Sequence, residues 1–116
     1  MRKKNSENYL EKIPKVAEKN IWTLYEEGKV TIETKNVGLM NRIAQKLFKQ
    51  PKISYIHLDE FGSFVWQLID GEKSIKQIAD YVKEAFGQRA EPLYPRLAKY
   101  FQILESYKFV EFVKKN

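Results

Sequence analysis

The run from His57 to Ala79, HLDEFGSFVWQLIDGEKSIKQIA, leaves this chain few ways to fold. It reads as the end of a strand, a short helix stopped at Asp70-Gly71, and a second helix opened by Ser74. Asp59 is a good N-cap, because its side chain can accept from the free N–H groups of a first helical turn. Phe61, Phe64, Val65 and Leu68 then share one face of a helix over residues 60–69. Gly71 stands where a C′ glycine belongs, since a left-handed residue there meets no Cβ clash. Ser74 with Gln77 has the pattern of a capping box. Ile75, Ile78, Ala79, Val82 and Phe86 line one side of the next helix, which Gly87 closes. No residue in the run has catalytic character. The stretch is a scaffold, and the search for function turns toward binding.

The flanking segments fill in an order. In residues 21–34, IWTLYEEGKVTIET, Trp22, Leu24, Val30 and Ile32 alternate with polar neighbours, the period of a half-buried strand. Glu27-Gly28 can turn them into a hairpin, with glycine at a positive φ. Residues 37–49 switch to helical spacing, with Met40, Ile43, Ala44, Leu47 and Phe48 on one side. Pro51 ends that helix, because the residue before proline disfavours helical geometry. Residues 52–58 return to strand composition. A last helix opens near Glu91-Pro92, where proline is tolerated in the first turn. Leu93, Leu97, Phe101, Leu104 and Lys108 form its core stripe, and residues 109–113, FVEFV, add a short extended end. Short strands cannot cover themselves and must pack on the helices. The expectation is an α+β fold, a small winged-helix domain. It has a three-stranded antiparallel sheet, three C-terminal helices and an extra helix inserted between strands 2 and 3. Residues 1–13 read as a flexible basic tail and residues 14–116 as a single domain.

Composition removes whole classes of function. A chain of 116 residues predicts one domain. Without cysteine there is no disulfide, thiolate metal site or cysteine nucleophile. No apolar run approaches the ~18 residues of a membrane span, and MRKKNSENYLEK lacks the apolar stretch of a signal peptide. A cytoplasmic protein fits. The lone histidine, His57, has Asp59 nearby, but such a pair is neither a triad nor a metal site. No serine sits in a nucleophile elbow, and there is no phosphate loop. The reading is therefore of no catalytic residue, no metal and no cofactor. The net charge of +6 is uneven. Lys35, Arg42, Lys46, Lys49 and Lys52 crowd residues 35–52 with no acid among them, while residues 53–116 balance at nine against nine. A nucleic-acid reader more often puts its excess on the recognition helix.

Binding features are better supported. Beside its core stripe the last helix carries a second one: Arg96, Tyr100, Ile103 and Tyr107. This stripe either packs under the inserted helix or the terminal FVEFV, or forms the wall of a groove. Amphipathic aromatics suit the second use because they join apolar area to a polar tip. The strand before Asp59, with Ile53, Ser54, Tyr55 and Ile56, can be the other wall if it lies at a sheet edge, where free N–H and C=O groups accept a guest strand. Arg42, Lys46, Lys49 and Lys52 can be a solvated polar face, an electrostatic collar for an acidic peptide, or a contact for nucleic acid or anionic lipid. Two rivals stand beside a peptide-binding domain: a winged-helix DNA-binding regulator, and a structural subunit of an enzyme complex. Exposed edges permit either a monomer or a homodimer.

Leu58-Asp59-Glu60 leading into Phe64-Val65-Trp66-Gln67-Leu68-Ile69-Asp70-Gly71-Glu72, then Ser74-Ile75-Lys76-Gln77-Ile78, resembles the PqqD family, pyrroloquinoline quinone synthesis protein D. Leu97 with Tyr100-Phe101, Leu104 and Phe109-Val110 is similar to the family's closing helix, and the resemblance runs over about residues 14–113. It implies a winged-helix peptide chaperone, a recognition element for ribosomally made, modified peptides. A precursor's leader lies as an added strand beside the last helix, and the domain presents it to a radical S-adenosylmethionine enzyme that carries the chemistry. The chain departs from the family in its insertion at 37–50, in Asp59 where asparagine is usual, and in Lys108 where glycine is common. The insertion leaves a client other than a quinone precursor equally open.

Overall fold

The computed structural model describes residues 9–18, 20–35 and 53–114. The alternation at residues 21–34 becomes an antiparallel hairpin of β2 (Ile21–Leu24) and β3 (Val30–Lys35), preceded by a short β1 (Pro14–Val16). Gly28 closes the turn by donating to the Tyr25 carbonyl at 2.8 Å. Then come β4 (Ile53–His57), α1 (Glu60–Leu68), α2 (Ile75–Phe86), a single 3₁₀ turn (Gly87–Ala90), α3 (Leu93–Ser106) and β5 (Val110–Phe112). Among the described residues the fold is α+β, with small antiparallel sheets and three α-helices. The helix expected over residues 37–49 lies outside the described residues.

The N-caps read from the sequence are in place. Asp59 Oδ1 accepts from the Gly62 N–H at 2.7 Å. Ser74 and Gln77 close their box in both directions, at 3.1 and 2.8 Å. Gly71 has φ 79°, a left-handed value that a side chain would strain, but α1 ends at Leu68 with Ile69 as its C-cap, so Gly71 lies one residue beyond C′ and its N–H donates to the Pro14 carbonyl.

The strand order of the larger sheet is β2-β3-β4. Val30 and Ile32 are fully buried on its inner face, and Ile56 and Leu58 pack there against the helices. The core joins them to Phe61, Val65 and Trp66 of α1, Ile75, Ile78 and Val82 of α2, and Leu93, Leu97, Phe101 and Leu104 of α3. Trp66 and Ile69 are buried although the sequence pattern left them off the α1 stripe. The outer half of the hairpin is less covered: Trp22 is 40 % exposed and meets Trp66 edge-on at 6.1 Å.

Three features were not legible in the pattern. First, the terminal extended piece is a strand with a partner. β5 pairs with β1, Pro14 opposite Phe112 and Val16 opposite Val110, in a second, two-stranded sheet. Pairing between chain ends leaves no local pattern in the sequence. Second, the stretch read as tail is packed from Tyr9 onward. Tyr9 and Leu10 lie against the core, Tyr9 meets Phe112 edge-on, and the Lys12 carbonyl accepts from Ile75 N–H. Third, Lys108 lies past the end of α3, exposed, at φ 67°. It belongs to a left-handed C-terminal turn, with Phe109 N–H returning to the Leu104 carbonyl.

Candidate functional site

β4 has β3 on one side and no strand on the other among the described residues. Its register shows which backbone groups are free. Leu58 N–H donates to the Val30 carbonyl, so hydrogen-bonded pairs fall at Leu58–Val30, Ile56–Ile32 and Ser54–Thr34. The groups of Tyr55 and His57 therefore point away from β3, along the open edge. Ser63, buried in α1, ends the ladder. Its hydroxyl accepts from Val30 N–H at 2.8 Å and donates to the Leu58 carbonyl at 3.2 Å. One side chain thus bridges the two groups that a further ladder rung would have joined, and ties the helix to the sheet.

Where β4 ends, a cleft of about 420 Å³ opens between the start of α1 and the exposed side of α3. Asp59 and Phe61 line one wall; Pro95, Arg96, Lys99, Tyr100 and Ile103 line the other. The second stripe of α3 is thus partly a groove wall and partly structural. Tyr100 is half-buried, donates its hydroxyl to the Gly62 carbonyl at 2.7 Å, and meets Phe61 and Phe101 edge-on. Burial, and then the carboxylate of Asp59, pushes its phenol up. Gly62 belongs to this contact: a Cβ there would stand 3.3 Å from the Tyr100 ring and 3.2 Å from the capping carboxylate. Ile103 is 45 % exposed and has no such anchorage. Tyr107 is 62 % exposed and stacks on Phe109 beyond the cleft.

Arg96 is held from two directions. Its guanidinium lies over the Phe61 ring at 4.0 Å, within range of cation–π attraction. One of its nitrogens donates to the Arg89 carbonyl at 3.0 Å. Phe61, which the pattern assigned to the core, is therefore also the platform of the site. Lys99 was missed as well. Its signal was present in its spacing, three residues after Arg96 and four before Ile103.

Not all the expected residues converge. Successive strand side chains alternate between faces, so Tyr55 shares the outer face with His57 while Ile56 turns inward. His57 Nδ1 lies 2.9 Å from Thr31 Oγ1 on that outer face. Tyr55 can offer the edge its backbone groups, but its ring stands on the side away from Ile56 and the helices. Ile53 and Ser54 belong to β4 by backbone and register. Arg42, Lys46, Lys49 and Lys52 lie outside the described residues. Among the described residues, no cluster of three or more His, Cys, Asp or Glu could hold a metal, and no helix is long and apolar enough to cross a membrane.

Comparison with known proteins adds one finding. Neither the curated proteins nor the solved structures returned a match. A family model described as Coenzyme PQQ synthesis protein D (PqqD) matches residues 40–110. That span is narrower than the resemblance read over residues 14–113 and leaves out the hairpin. It covers β4, all three helices and therefore every residue lining the cleft. With more than half its length matched by that model, the chain belongs to the PqqD family.

Proposed function

We propose that this chain is a non-catalytic peptide-binding domain of winged-helix form. It captures the leader of a ribosomally made precursor peptide by strand addition to β4 and presents it to a modifying enzyme of the radical S-adenosylmethionine kind. One juxtaposition carries the reading: β4, whose far rim has no partner strand among the described residues, leads within two residues of its end to Asp59 and a cleft with apolar and cationic walls. Backbone pairing supplies affinity for any extended chain, and the cleft selects among side chains. Family membership supports a role in handling the peptide of a quinone-cofactor pathway.

The register makes the test specific. A synthetic leader, taken from a short precursor gene beside this one, is titrated onto the full chain and followed by amide hydrogen exchange. Slowed exchange is expected at Tyr55 and His57. Tyr55→Pro removes an outward donor and should weaken binding about tenfold or more while the sheet persists. Ile56→Pro instead removes a bond to β3 and should damage the fold. Peptide binding with unchanged exchange at Tyr55 and His57 defeats strand addition. A chain that shifts duplex DNA and ignores the peptide supports the regulator instead.

A further inference from the structure

We infer that the client peptide carries a carboxylate two residues from an apolar side chain, the carboxylate lodging against Arg96 and Lys99 and the apolar group against Tyr100 and Ile103. The inference rests on the strand-addition reading and says which leaders it takes.

The first observation is an unpaired, pre-positioned cation. Among the described residues the ion pairs are Lys73–Asp70 at 2.7 Å and Arg89–Glu60 at 3.8 Å; Arg96 has no carboxylate at that range. Only one nitrogen of its guanidinium has a described partner, the Arg89 carbonyl. Stacking on Phe61 and that bond hold the group in one place, so less side-chain freedom is lost when an anion arrives. The nearest acid in the cleft, Asp59, is engaged as the α1 N-cap through Gly62.

The second observation is spacing. Arg96 and Tyr100 are four residues apart on α3, and so are Lys99 and Ile103. Four residues of helix rise about 6 Å. Two residues of strand advance about 6.7 Å and return the side chain to the same face. For a guest strand that runs along α3, each cation-then-apolar step is matched by an acid and an apolar residue at i and i+2. The balance of charge also favours a single carboxylate over a polyanion. Arg96 and Lys99 face Asp59 in the cleft, and Glu60 sits at the rim beside Arg89. A phosphate backbone would meet both carboxylates.

Random peptides displayed on phage, selected on the full chain, test this. Peptides with Asp or Glu two positions from an aliphatic or aromatic residue should dominate. Selection on Arg96→Glu should replace that acid with Lys or Arg while the apolar position persists. Replacing Glu by Gln in a selected peptide should weaken binding to the natural chain about tenfold and hardly affect Arg96→Gln. If Arg96→Glu fails to fold by circular dichroism, exposed Lys99→Glu serves the same test. Apolar peptides with no acidic enrichment, or an acidic preference that survives in both Arg96→Gln and Lys99→Gln, overturn this inference alone. A selection that enriches nothing overturns it together with strand addition.

Discussion

Helix α3 carries two stripes, and they meet different fates. Leu93, Leu97, Phe101 and Leu104 are buried at every rung. Arg96, Tyr100, Ile103 and Tyr107 follow one helical spacing too, yet their environments grade from a stacked arginine through a half-buried tyrosine to two open side chains. The first stripe is closed because α1, α2 and the sheet converge on it. Among the described residues the second meets the start of α1 through Phe61 and Gly62, and otherwise, outside α3, touches only the Arg89 carbonyl at one end and Phe109 at the other. A stripe on a helical wheel is one object to the sequence and can be two in the fold. Its first half is a fixed wall and its second half is available surface.

The sharpest way to break this contrast is at Phe101. Phe101→Ala removes a fully buried ring and should destabilise the domain by about 3–5 kcal/mol, read as a lower urea midpoint. A loss below about 1 kcal/mol would mean the first stripe is no more closed than the second.

Alkaline titration probes the half-buried part. Burial, with Glu105 as the lesser cause, raises the Tyr9 phenol from 10.0 to about 12, and burial also raises Tyr100. Both pKa values are higher folded than unfolded. Tyr9's contribution to stability is therefore complete below pH 10 and is lost as pH rises through about 12; that of Tyr100 is lost in the same direction. Helical circular dichroism should fall in that window as tyrosinate absorbance grows. Changing both residues to Phe should move the transition to higher pH. A difference in absorbance between the natural chain and that double variant appearing near pH 10, with the helices intact, would place both rings at the surface.

At Ile103 stability and binding should separate. Ile103→Ser should alter stability by less than about 0.5 kcal/mol while weakening a bound leader by about 1–2 kcal/mol. A large fall in melting temperature would instead put Ile103 in the core with its neighbours. The smallest effect is expected just past the helix. Lys108 holds a positive φ that suits glycine, so Lys108→Gly should raise stability by about 0.5–1 kcal/mol. A decrease would show that the lysine side chain makes a contact worth more than the backbone strain.

Much of the scaffold was legible because its signals are short-range. The Ser74–Gln77 box, the Asp59 cap and the Gly28 and Gly71 turns are each set by residues a few positions apart, and each stands as read. The buried faces of α2 and α3 followed from periodicity for the same reason. The misses are long-range or concern single atoms. Nothing near Pro14 announces a partner at Phe112. Nothing in the spacing of Tyr100 says that its hydroxyl will reach Gly62 rather than solvent. Lys108 fitted the helical spacing because periodicity does not mark where a helix stops without a glycine. At the site, the stripe and the edge strand were readable. The outward turn of Tyr55 and the double role of Phe61 were not, since both depend on register and on an approach between separate elements.

Hydrophobic spacing and capping chemistry act over a turn or two, so the chain's order of helices and strands was written in its linear pattern. Packing alone settled which backbone groups of β4 turn away from β3, and that Arg96 would come to rest on Phe61. Those relations join segments far apart in the chain, and their energies arise only once folding has brought the segments together.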